Sequence, residues 1–83
     1  MEKTEIETKI RKILAQNSPG IGPNDVSLTT AIKDVYYSSE TKTVYVNRVC
    51  LAFGFIDCTD FSNKTFTTLS TGQKAISYIH GAQ

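Results

Sequence analysis

The sequence predicts an all-α fold, a small up-down bundle of three to four helices in a single domain covering residues 1–83. In three stretches, apolar residues recur every three or four positions, which places them on one face of a helix. These residues are Ile6, Ile10, Ile13 and Leu14, then Val46, Val49, Cys50 and Phe53, and finally Ala75, Ile76 and Ile79. A chain of 83 residues buries only about 60% of the surface that its unfolded form exposes, so we expect one modest core.

The first helix is predicted over residues 6–16. Thr4 and Glu7 have the spacing of a capping box, in which each side chain satisfies the backbone N–H of the other residue. Glu7 also precedes Arg11 by four residues, a spacing that favours an ion pair on the outer face of the helix.

A loop is predicted over residues 17–24, because two prolines and two glycines there disfavour both helix and strand. An irregular or briefly helical segment follows and ends at Asp34 and Val35. Its apolar anchors are Val26, Leu28, Ile32 and Val35.

Residues 39–53 contain β-favouring residues, but their apolar positions do not alternate as they would in a strand. The helical spacing of those positions leads us to predict a helix. Ser38 or Ser39 is the expected N-cap, where a hydroxyl accepts a backbone N–H, and Gly54 is placed to end the helix.

The stretch 55–69 is predicted to be a loop with short pieces of structure. We expect Phe55 and Ile56 to turn inward and the polar residues 57–64 to lie outside.

The last helix is predicted to open with a second capping box, formed by Ser70 and Gln73. Tyr78 would flank its apolar face, and Gly81 is placed to end it.

The charge balance narrows the class of partner. Nine basic and eight acidic residues give a formal net charge of +1. A dedicated nucleic-acid-binding domain usually has a pI above about 9, so we expect no nucleic-acid partner. No apolar run approaches the roughly 20 residues that span a bilayer, and no secretory signal is visible, so we also expect no membrane association.

Cys50 and Cys58 are the two cysteines, eight positions apart, and the single histidine, His80, is distant in sequence. That spacing does not suit a zinc site. A small secreted scaffold would usually carry four or more cysteines, so we expect two reduced, mostly buried thiols in a cytoplasmic protein. We also expect the protein to be a monomer.

Catalytic signatures are missing from the sequence. It has one histidine and no carboxylate pair brought together by a helical or strand spacing, so we predict no catalytic residues and no enzymatic activity. The remaining function classes are a small helical carrier protein and a small helical binding module.

The order of elements and several short stretches resemble the acyl carrier proteins, over almost the whole chain. The family opens with Ile-Glu followed by Val-x-Lys-Ile and often closes with Ala-Ile-Asp-Tyr-Ile-Asn-Gly. The matching positions here are Ile6-Glu7 with Ile10, Lys12 and Ile13, then Gly20-Ile21, Asn24-Asp25-Val26, Ile32-Lys33-Asp34-Val35 and Ala75-Ile76-Ser77-Tyr78-Ile79-His80-Gly81. The loop at 55–69 has about four extra residues.

The resemblance implies an attachment site at Ser39. In the family, the attachment serine comes five residues after an Asp and fourteen before the Phe that ends the second helix, and Asp34 and Phe53 stand at those distances from Ser39. Ser39 would carry 4′-phosphopantetheine, transferred from coenzyme A by a phosphopantetheinyl transferase. The carrier would hold acyl intermediates as thioesters for acyl-chain synthases and acyltransferases of fatty-acid or related biosynthesis.

The chain departs from the family at the site itself, where Asp-Ser-Leu is replaced by Ser38-Ser39-Glu40. The predicted second helix also has one acidic residue, Glu40, against Lys42 and Arg48, whereas the family's second helix is acidic. A carrier fold that has lost its prosthetic group and acts only as an interaction protein is therefore one alternative.

The other alternative is a winged-helix-like nucleic-acid-binding module. In that hypothesis, residues 6–16 and 24–33 form its first helices and residues 64–69 form a wing strand. The near-neutral net charge argues against this alternative.

Overall fold

Helices make up the architecture of the chain in the computed structural model, which describes residues 1–16, 20–30, 39–64 and 69–83. They are α1 (Lys3–Gln16), the short 3-10 helix η1 (Pro23–Asp25), α2 (Ser39–Ala52), α3 (Cys58–Lys64) and α4 (Gly72–Gly81). The described ranges contain no β-strand. The predicted small all-α bundle is thus confirmed.

Helix α1 starts earlier than predicted. The backbone N–H groups of Glu5 and Ile6 both donate to the carbonyl of Glu2, at 3.1 Å each, so Thr4 already lies within the first turn. The predicted capping box of Thr4 and Glu7 is therefore wrong. Glu7 instead pairs with Arg11 at 3.3 Å, as the four-residue spacing indicated.

Helices α1 and α4 pack against each other in antiparallel orientation. At one end of the pair, Gln83 Nε2 donates to the carbonyl of Met1 at 2.7 Å. At the other end, Gly72 packs against Leu14 and Leu28. A Cβ atom at Gly72 would lie 3.3 Å and 3.1 Å from methyl carbons of those two leucines, so glycine permits the close approach.

Residues 26–28, which follow η1, are hydrogen-bonded to both α1 and α4. Arg11 Nη1 donates to the carbonyl of Val26 at 2.7 Å, and the Gln73 N–H donates to the carbonyl of Leu28 at 3.0 Å. Val26 and Leu28 are partly buried against the core, as predicted. The remaining anchors expected in this segment, Ile32 and Val35, lie outside the described residues, as do residues 17–19 of the predicted loop.

Helix α3 was not predicted. Its range, Cys58–Lys64, falls in the stretch expected to be an external polar loop, yet Phe61 within it is completely buried. Asp57 caps the helix, because its Oδ1 accepts the Asp60 N–H at 3.1 Å. The inward orientation expected for Phe55 is also wrong, since this side chain is 42% exposed, whereas Ile56 is buried as expected.

The N-cap of helix α4 lies one residue after the predicted one. Thr71 is the N-cap, and its hydroxyl accepts the Lys74 N–H at 3.2 Å. Ser70 instead contacts the Lys74 ammonium at 3.4 Å. The predicted box of Ser70 and Gln73 is therefore wrong, while the helix ends at Gly81 as expected.

Among the described residues, one hydrophobic cluster lies between the helices, and the apolar stripes predicted from the sequence supply most of it. Every described helix of the α type contributes to it. Its buried members are Ile6, Ile10, Ile13, Leu14, Tyr45, Val46, Val49, Phe53, Ile56, Phe61, Leu69, Ala75, Ile76 and Ile79.

Candidate functional site

Ser39, the predicted attachment residue, is the first residue of helix α2. Its side chain lies outside the described part of the chain, together with residues 31–38, which include Asp34 and Ser38. The first N–H groups of a helix lack partners within the helix, and its dipole makes this end partially positive. The backbone at Ser39 is therefore favourable for an attached anionic group.

The inner face of α2 belongs to the core. Tyr45 and Val49 are completely buried, as is Phe53, which follows the last residue of the helix. The Phe53 N–H still donates to the carbonyl of Val49, at 2.9 Å, so the helical hydrogen bonding continues to this residue. Phe53 thus marks the end of the helix that Ser39 begins.

A groove of about 320 Å³ lies between α2 and α3, starting one turn after Ser39. Lys42 and Thr43 line this groove. They stand three and four positions after Ser39, so they lie on the same side of the helix as that residue. Its remaining lining residues are Val46, Asn47 and Ser62. The groove combines an ammonium group, two hydroxyls and an amide with one apolar wall.

Helix α2 carries one acidic and two basic residues. Glu40 is exposed in the first turn, while Lys42 and Arg48 are half-buried. Arg48 Nη1 is shielded from solvent and has no hydrogen-bond partner within the described residues. The helix therefore carries one more positive charge than negative, with Lys42 on the groove.

A larger cavity of about 630 Å³ lies at the beginning of α4. It is lined by Thr29, Leu69, Thr71, Gln73, Lys74, Ser77 and Tyr78, none of which belongs to α2. No local pattern indicated this cavity, because Thr29 stands at least forty residues before the other residues that line it.

Three side chains link α3 to α4. The Tyr78 hydroxyl donates to Asp60 Oδ2 at 2.5 Å, and the Lys64 ammonium lies 3.1 Å from the same oxygen and 5.1 Å from the centre of the Tyr78 ring. The Tyr78 hydrogen bond, with help from Lys64, lowers the pKa of Asp60. The same hydrogen bond raises the pKa of Tyr78 to about 12. This cluster stabilises the position of α3.

Cys50 and Cys58 form a disulfide, with their Cα atoms 5.8 Å apart. The bond connects the last turn of α2 to the first residue of α3. Cys50 is partly buried and Cys58 is exposed. The prediction of two reduced, mostly buried thiols is therefore wrong, because the unpredicted helix α3 brings Cys58 next to α2.

Sequence reasoning missed the contribution of α3 to the groove, namely Ser62, and the role of Asp60. Two local signals could have indicated this helix. Asp57 stands three residues before Asp60, a cap-like spacing, and Asp60 precedes Lys64 by the four residues of a helical ion pair.

Among the described residues, no group of three or more histidine, cysteine, aspartate or glutamate side chains is placed to hold a metal ion. The same residues include no helix that is long and apolar enough to cross a membrane. Comparisons with protein-family models, curated proteins and solved structures gave no match for this chain.

Proposed function

We propose that this protein is an atypical acyl carrier, with 4′-phosphopantetheine attached to Ser39. The observation that carries the proposal is the position of Ser39 at the first residue of α2, fourteen residues before the buried Phe53 that ends the helical hydrogen bonding. Asp34, the other residue that defines this spacing in the family, lies outside the described residues. The all-α bundle and the resemblance of residues 75–81, which lie within α4, support the same proposal.

The residues around Ser39 fit such a group. The free N–H groups at the start of α2 stabilise the negative charge of a phosphodiester. Lys42, one turn further on, adds a positive charge on the groove side of the helix. The carboxylate of Glu40 opposes both effects because it lies in the same first turn.

When bound, the phosphopantetheine arm supplies a terminal thiol that holds an acyl group as a thioester. The protein's own contribution is to present the anchor at the end of a rigid helix and to offer a groove beside it. The partly polar lining of the groove, with Thr43 and Asn47 beside Val46, suits a short or polar acyl group better than a long alkyl chain. Catalysis remains with the partner enzymes.

The expected partners are a phosphopantetheinyl transferase and the acyl-chain synthases and acyltransferases of fatty-acid or related biosynthesis, in the cytoplasm. Because α2 carries two basic residues and one acidic residue, these partners would lack the electrostatic attraction that an acidic carrier helix gives. Their recognition of this carrier would then depend on shape and apolar contact.

The winged-helix alternative receives no support from the wing region. Lys64, the first residue of the expected wing strand, ends helix α3, and Leu69, the last, is buried in the helical core. Residues 65–68 lie outside the described part of the chain.

The test is modification in vitro with coenzyme A and a broad-specificity transferase, followed by intact-mass measurement. We expect the wild-type protein to gain about 340 Da, the mass of the phosphopantetheine group. Ser39→Ala should gain nothing, whereas the matched neighbour variant Ser38→Ala should be modified like wild type. Far-UV circular dichroism checks that both variants are folded.

Absence of the mass gain in folded wild-type protein would contradict the carrier function and favour the carrier-fold interaction protein. A gain that survives in Ser39→Ala but is lost in Ser38→Ala would move the anchor to the neighbouring serine.

A further inference from the structure

The disulfide lies at the junction of the two helices that form the groove. Cys58 is the first residue of α3, and Ser62, which lines the groove, follows it by four residues and so lies one helical turn away on the same side. Cys50 lies in the last turn of α2 and packs partly against the core. The bond therefore fixes one wall of the groove to the other at their shared end.

Helix α3 depends on such attachments because of its length. A seven-residue helix is not stable by itself in water, so contacts with the rest of the protein must hold it. Phe61 in the core and Asp60 on Tyr78 hold its middle. Its first turn is held by the Asp57 cap, which is exposed, and by the disulfide.

The two sulfur atoms differ in accessibility. Cys58 is exposed, whereas Cys50 is partly buried beside the core. Thiol–disulfide exchange requires a thiolate to reach a disulfide sulfur, so the exposed side of the bond is the one that an external thiol attacks. The buried side is then the leaving thiolate.

We propose that Cys50 and Cys58 are a reversible thiol–disulfide site whose redox state sets how firmly the first turn of α3 is held against α2. The co-reactant is a small thiol and its disulfide, such as reduced and oxidised glutathione. In a reducing cytoplasm the pair would spend much of its time open, and oxidising conditions would close it. This inference does not depend on modification of Ser39.

The reaction balances as two successive exchanges. A glutathione thiolate attacks the Cys58 sulfur, forms a mixed disulfide with it and releases the Cys50 thiolate, which takes up a proton. A second glutathione thiolate attacks the glutathione sulfur of the mixed disulfide and releases the Cys58 thiolate together with oxidised glutathione. The protein gains two electrons and two protons, and two glutathione molecules become one disulfide.

The test compares oxidised and reduced protein without coenzyme A. With oxidised glutathione, we expect the intact mass to fall by two hydrogen atoms and N-ethylmaleimide to add to neither cysteine. With dithiothreitol, both cysteines should be labelled. Hydrogen–deuterium exchange of residues 57–64 should be several-fold faster in the reduced protein, while exchange in α1 stays unchanged.

Cys58→Ser is the matched variant, since this exposed position tolerates the change and the variant cannot close the bond. Under reducing conditions its exchange over residues 57–64 should equal that of the reduced wild type. A wild-type protein that does not oxidise, or that oxidises with no change in exchange at residues 57–64, would overturn the proposal. Faster exchange in α1 to the same degree would also overturn it, because the bond would then act on the whole fold.

Discussion

At the scale of single residues, the contact between Tyr78 and Asp60 shows how one hydrogen bond connects two helices. The Tyr78 hydroxyl reaches across from α4 to a carboxylate of α3, and Lys64 lies against both groups. The bond favours the ionised form of Asp60 and the neutral form of Tyr78, which is why their pKa values move in opposite directions. Its contribution to stability must therefore depend on pH at both ends of the scale.

We expect Tyr78→Phe to lower the free energy of unfolding by an amount that depends on pH. The pKa of Asp60 is lowered from 3.8 in the folded protein, so its contribution is present above pH 3.8 and is lost as the pH falls through the folded value. The pKa of Tyr78 is raised from 10.0 to about 12, so its contribution is present below pH 10.0 and is lost as the pH rises to about 12.

Urea denaturation of wild type and Tyr78→Phe at a series of pH values measures this difference. The difference should be constant between those limits and should shrink beyond each of them. Ser77→Ala, an exposed change on the same helix, is the control and should show no such pH dependence. A Tyr78→Phe difference that is equally large at pH 2 would argue against the assigned bond to the Asp60 carboxylate, whose pKa is lowered from 3.8.

At the scale of elements, length and amphipathic spacing decided what could be predicted. Helices α1, α2 and α4 have ten or more residues, and each repeats apolar positions often enough to show a helical period. Helix α3 has one fully buried residue, Phe61, in seven, so no period exists to be recognised. Its stability comes from contacts with side chains such as Tyr45 of α2 and Tyr78 of α4, which stand sixteen or more residues from Phe61 and so fall outside any local pattern.

We therefore expect the packing of Phe61 to be the main contact that holds α3 against the core. Phe61→Ala should lower the free energy of unfolding by about 3–5 kcal/mol, because it removes a completely buried ring and leaves a cavity. Phe61→Leu should lower it less. Phe55→Ala, in the preceding loop where the ring is 42% exposed, is the matched control and should change stability by about 0.5 kcal/mol.

Urea denaturation monitored by circular dichroism gives all three values. If Phe55→Ala lowered stability as much as Phe61→Ala, the sequence-based expectation that Phe55 faces inward would be right and the assigned orientations would be wrong. Phe61→Leu keeps the comparison measurable should the alanine variant fail to fold.

At the scale of the whole molecule, the sequence predicted the core and the start of α2 but not the surroundings of the site. The stripe ending at Phe53 indicated which face of α2 is buried, and the candidate N-caps Ser38 and Ser39 indicated where that helix starts. The groove wall from Ser62 and the pairing of Cys50 with Cys58 depend on how α3 packs. Because that packing is tertiary, no motif in the sequence reports it.

One shared core also predicts one cooperative unfolding transition. Ile10 of α1 and Ile79 of α4 are both completely buried in the same cluster, so loss of either helix exposes the other. Ile10→Val and Ile79→Val should each lower the free energy of unfolding by about 0.5–1.5 kcal/mol. Each loss should be the same by far-UV circular dichroism, which reports all helices, and by tyrosine fluorescence, which reports the surroundings of residues such as Tyr45 and Tyr78.

Two separated transitions in wild type would contradict this prediction. So would a valine variant that shifts the transition seen by one probe and not by the other. Either result would mean that α1 and α4 belong to independently unfolding units, contrary to the single core that their contacts define.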